Sequence, residues 1–192
     1  YTTLFRSLGI EHEKAFLESL KTPSIRIVEI GNEGGSLSKK AQETLMALKD
    51  GADWIYQAAF EAPVWFGYAD FLRRVNRPSA LGDFSYEVID TKLKRSPDPK
   101  HVVQLCLYSS LLCDIQGVMP ESMHVVLGDS QYCSLRVVEF LSYVQRQRRH
   151  LERFVIEPWG TRPDPVKACM LCDWQDRCAD EWDRKEDLCL VA

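Results

Sequence analysis

The sequence has no hydrophobic run able to cross a bilayer. Its longest uncharged stretch, Val102 to Cys113, is 12 residues, against the ~20 a spanning helix needs. A basic, then apolar, then small-residue leader is missing as well. There is no surplus of positive charge: 24 Lys and Arg face 28 Asp and Glu, for a net charge of −4, so no chain-wide field draws in nucleic acid. Ten glycines and nine prolines in 192 residues, without repeats, exclude a collagen-like or low-complexity chain. What is present is ordinary for a globular domain, with 45% hydrophobic and 27% charged residues. Seven cysteines are an odd number, and three of them crowd into Cys169–Cys178. That suits a cytoplasmic protein with a metal or cluster site better than a secreted disulfide framework.

The opening Tyr1-Thr2-Thr3-Leu4-Phe5-Arg6-Ser7 reads like translated sequencing-adapter sequence, so residues 1–7 are set aside. The chain is expected to be a fragment truncated at both ends. Residues 8–20 predict a helix and 25–30 a strand, followed by a helix from Ser36 or Ser38 to Lys49. Strands are expected near 53–60, 64–74 and 84–93, with a buried helix from Pro97 or Pro99 to about Ile115. Two more strands, near 122–127 and 132–138, precede a helix over 139–156. Pro158, Pro163 and Pro165 then lead into a cysteine-rich tail. The order implies an α/β domain over 8–157, with a central mixed sheet flanked by helices, and a tail over 158–192.

Within Phe84 to Leu93, strand alternation puts Tyr86, Val88, Asp90 and Lys92 on one face. An apolar face thus ends in a carboxylate and an ammonium, which form either a simple ion pair or a site for a divalent cation and a phosphate. Asp70 lies in the apolar run Gly67 to Leu72, where a carboxylate is costly unless paired or metal-bound. Gln104 and Tyr108 share one stripe of the buried helix, with His101 one turn earlier. Around these residues, 73–101 carries seven basic against four acidic side chains, while 173–187 carries seven acidic against three basic.

Gly9-x-x-His12, Gly67-x-x-Asp70, Asp90-x-Lys92 and Gln104-x-x-x-Tyr108, in that order, resemble the PD-(D/E)XK nuclease superfamily, most closely its RecB-like branch, which includes the CRISPR-adaptation nucleases. Cys169-x-x-Cys172 and Cys178 resemble that branch's C-terminal cysteine cluster. The resemblance implies a restriction-endonuclease-like core and a metal-dependent DNase of repair or recombination type, acting on single strands or ends. It implies His12, Asp70, Asp90 and the Thr91 carbonyl as ligands of Mg²⁺ or Mn²⁺, and Lys92, Gln104 and Tyr108 as catalytic residues with Asp70 and Asp90. The spacing before His12 is one residue shorter than the commoner G-x-x-x-H, which leaves a solvated helix histidine as the alternative.

For Cys169, Cys172 and Cys178 the resemblance implies a 4Fe–4S cluster, with Zn²⁺ or free thiols as alternatives. A fourth thiolate is expected from upstream sequence, or from Cys189 within the chain. Arg73, Arg74 and Arg95 are candidate DNA contacts. DNA is the expected partner, without a membrane and with further nucleic-acid-processing domains in the whole protein. The competing readings are a non-catalytic nucleic-acid-binding module and a zinc-stabilised adaptor.

Overall fold

The computed structural model describes residues 2–31, 35–158 and 162–187. The chain falls into two compact units, one through Glu152 and one from Arg153.

Unit one runs α1 (Thr2–Leu20), β1 (Ile27–Glu29), α2 (Leu37–Lys49), β2 (Trp54–Glu61), β3 (Phe66–Val75) and β4 (Ser85–Thr91). It continues through α3 (Pro99–Gln116), β5 (Ser122–Val126), β6 (Tyr132–Arg136) and most of α4 (Val137–Ile156). The six strands form one mixed sheet in the order β1-β2-β3-β4-β5-β6. The β1–β2 and β4–β5 pairs are parallel, and the other three are antiparallel. Each parallel step is a crossover through a helix, α2 or α3, as parallel neighbours require.

Helices cover both faces. On one, α2, α3 and α4 bury Leu48, Leu105, Leu112 and Val144 against Ile55, Leu72, Val88 and Val125. On the other, α1 lays Leu17, Phe16 and Leu20 over Tyr56, Phe71, Ile89 and Val126. Phe16 meets Phe71 edge-on at 5.0 Å, which fixes the rotation of α1 about its axis.

Local chemistry explains the helix bounds. Asp98 caps α3, accepting from Lys100 N at 3.1 Å, and Pro99 opens its first turn. Gly117, at φ 73°, closes it and donates to Cys113 O at 2.8 Å. The fully buried Gln116 amide accepts from Tyr86 N at 2.8 Å and donates to Tyr86 O at 3.2 Å. It therefore ties the end of α3 to the start of β4. Helix α1 begins at Thr2, not at the expected residue 8. Residues 2–7 hold no glycine or proline to stop a helix already formed behind them.

Unit two holds a 3₁₀ turn (Lys167–Leu171) and α5 (Gln175–Lys185), elements the sequence reading left out. Trp182 Nε1 donates to Pro163 O at 2.6 Å. Among the described residues, no helix is long and apolar enough to cross a membrane.

Candidate active site

The site forms where β3 and β4 meet α1. Asp70 and Thr91 are joined twice: Thr91 N and Thr91 Oγ1 donate to Asp70 Oδ2 at 2.8 and 3.0 Å. Asp90, 4% exposed, has Lys92 Nζ 2.6 Å from its Oδ2. That short contact places the Lys92 ammonium directly against the buried carboxylate.

Burial, then the negative charge of Asp70, pushes the Asp90 carboxyl up to about 7, against the pull of Lys92. Burial works against the Lys92 ammonium, yet Asp90, Asp70 and Glu13 together hold its pKa above the usual lysine value. Two crowded carboxylates and one lysine leave an excess of negative charge in a half-dry setting.

Glu13 was not anticipated. Burial and the charge of Asp70 raise its carboxyl pKa, while Tyr56, Gln57 and Lys92 oppose the rise. Its Oε1 accepts a hydrogen bond from the Gln57 side-chain amide. Gln57 itself has φ 56°, uncommon for a residue other than glycine, within a strand step opposite Asp70. Strained backbone of this kind gathers at functional sites. The available signal was positional: Glu13 sits one helical turn before the buried Leu17, on the stripe facing the sheet.

His12 lies beside this cluster. Its Nε2 is 3.4 Å from Val126 O, the carbonyl that also accepts from Lys92 N at 2.9 Å. Gln104 Nε2 donates to Tyr108 OH at 3.2 Å, and the Tyr108 ring stacks on Phe60 with centroids 5.8 Å apart. Tyr108 also presses on Gly67: a Cβ there would meet its Cε1 and hydroxyl at 2.7 Å. Gly67 is therefore the surface on which Tyr108 rests. His101, buried on the same α3 stripe, has an unpartnered Nδ1. Burial, then the nearby Lys92, lowers its pKa.

The three arginines are placed differently. Arg73 Nη2 reaches Glu87 Oε2 at 3.0 Å and His124 Nε2 at 3.2 Å, so its charge is matched inside the domain. Arg74 lies over the Phe84 ring at 4.4 Å and 4.0 Å from Asp53. Arg95 is exposed.

In unit two, Cys169 and Cys178 are half-buried, Cys172 is exposed, and none of the three is in a disulfide among the described residues. Val166 N donates to Cys169 Sγ at 3.3 Å. Among the described residues, no three His, Cys, Asp or Glu side chains converge as a formed metal site. Cys189 lies outside the described residues. Cys106 is buried, and Cys113 and Cys133 are partly buried.

Comparison of the chain with protein-family models and with curated proteins returns no match.

Proposed function

We propose that unit one is a metal-dependent nuclease domain of RecB-like PD-(D/E)XK type, hydrolysing phosphodiester bonds in DNA. The observation that carries this reading is Asp90: buried, crowded by Asp70, with its carboxyl raised to about 7 and the Lys92 ammonium 2.6 Å from its Oδ2. A hard divalent cation suits such a pair of carboxylates and relieves the repulsion between them. Asp70, Asp90 and the Thr91 carbonyl would hold Mg²⁺ or Mn²⁺, with Glu13 and His12 at the α1 edge. The chemistry such a cation supplies is polarisation of the phosphate and activation of water at neutral pH.

The protein's own groups do the rest. Thr91 fixes Asp70, so that carboxylate does not have to be ordered when substrate arrives. Lys92 carries positive charge to the phosphate, where negative charge grows as the attacking oxygen adds. Gln104 and Tyr108, held by Phe60 and Gly67, offer donors for the nucleic-acid backbone beside the scissile bond. Arg95, exposed, is a phosphate contact; Arg73 and Arg74 act by shaping the sheet around the site.

In unit two, the soft thiolates of Cys169, Cys172 and Cys178 suit a 4Fe–4S cluster or zinc. The N–H donated to Cys169 Sγ fits a ligated sulfur. The described residues do not bring these three thiols together as a formed metal site.

The test is cleavage of end-labelled single-stranded and duplex DNA with Mn²⁺ and with EDTA. Mn²⁺-dependent cleavage supports the reading. DNA binding without cleavage at any metal concentration would replace it with the non-catalytic binding module.

A further inference from the structure

A cavity of about 280 Å³ opens beside His12, between α1 and the β5–β6 hairpin. His12, Phe16 and Ser19 line it from the helix, and Val126, Ser130 and Tyr132 from the hairpin. It shares a wall with the candidate active site, since the Val126 carbonyl meets both His12 and the backbone of Lys92. We propose that this cavity is a nucleobase subsite, taking one unpaired base of the strand whose phosphate lies at Asp70 and Asp90. The identity of that strand rests on the nuclease reading above.

The lining selects a base over the other parts of a nucleotide. It contains no Lys, Arg, Asp or Glu, so a phosphate would find no fixed counter-charge there. Phe16 and Tyr132 supply aromatic surface, and Ser19, Ser130 and the His12 ring supply hydrogen-bonding groups for a base edge. The volume is at the small end for ligand sites. It accommodates a single base and excludes a base pair.

Tyr132 is built as a platform. The ring lies 5.0 Å from His124, tilted 38°, with the Arg73 guanidinium 5.7 Å from its centroid. His124 and Arg73 are 3.2 Å apart, and both bond Glu87 Oε2. Ser134 Oγ holds the other ring nitrogen of His124 at 2.9 Å. This network supports the ring from beneath, while Tyr132 stays 41% exposed. A ring already held loses little freedom when a base stacks on it.

The experiment is equilibrium binding of a DNA single strand containing 2-aminopurine, with Ca²⁺ replacing Mn²⁺. Wild type should quench the fluorescence as the base stacks. Tyr132→Ser should weaken binding by roughly tenfold or more and abolish the quench, as loss of one stacking partner does. Tyr132→Phe should retain both. Ser19→Trp changes an exposed helix residue and fills the cavity without touching the core, so it should also abolish the quench. Unquenched binding by wild type, or full quenching by Ser19→Trp and Tyr132→Ser, would overturn the subsite. A wild type that quenches yet never cleaves with Mn²⁺ would overturn the nuclease reading and leave the subsite standing.

Discussion

Thr91 holds Asp70 from the neighbouring strand by two hydrogen bonds to one oxygen, Oδ2, at 2.8 and 3.0 Å. The residue next to Asp90 thus sets the orientation of the second carboxylate, and the Asp90–Thr91–Lys92 run works as one piece.

Removing only the hydroxyl separates these roles. Thr91→Val keeps the shape and the backbone bond but deletes the 3.0 Å contact. Stability should fall by about 1 kcal/mol, the usual net worth of one hydrogen bond. DNA cleavage should fall by roughly tenfold through misorientation of Asp70. Denaturant melts together with single-turnover rates check this; equal rates for both proteins would remove Thr91 from the site's function.

Asp90 makes a pH prediction for the metal-free protein. Its carboxyl rises from the ordinary 3.8 to about 7 on folding. Between those values the folded state binds more protons than the unfolded one, so stability falls as pH rises through this window and levels off above it. Glu13, raised as well, adds in the same direction. His101, lowered from 6.5, opposes it, while Glu87, lowered from 4.5, acts only in more acid solution. Asp90→Asn isolates the effect. In EDTA the variant should be more stable than wild type at pH 8, on the order of a few kcal/mol, and the gap should narrow steadily below pH 7 and close only as the pH approaches the ordinary carboxyl value of 3.8. Parallel stability curves for the two proteins would contradict it.

Gly67 and Tyr108 should prove coupled. Gly67→Ala would bring a methyl group to 2.7 Å from Tyr108, so the ring must shift and carry with it the hydroxyl that accepts from Gln104. Cleavage should fall, while Tyr108→Leu should make the added methyl nearly silent. A double-mutant cycle on stability and rate measures this. Additive effects would mean that the close approach has no role.

Much of this arrangement is legible in the residues. Alternation marks β4, and Pro99 with Gly117 brackets α3. The spacing that singles out Asp70, Asp90 and Lys92 reflects strand geometry, which is regular and local. Glu13 escaped because His12 and Glu13 are neighbours on a helix, and which one faces the sheet depends on how Phe16 and Leu17 pack. The positive φ of Gln57 has no residue signature, since glycine is the usual occupant of that region. The inward role of Arg73 depends on a cross-strand register that pairs it with Glu87. Helix α5, acidic and without a buried stripe, offered no apolar period to read.

The most direct test of the central claim compares single-turnover DNA cleavage by wild type and Asp90→Asn across a Mn²⁺ titration. Asparagine keeps the shape and removes the charge that burial and Asp70 strain against. The account predicts a folded, more stable variant whose cleavage is at least ~10²-fold slower at every metal concentration. Cleavage by Asp90→Asn at the wild-type rate would contradict it.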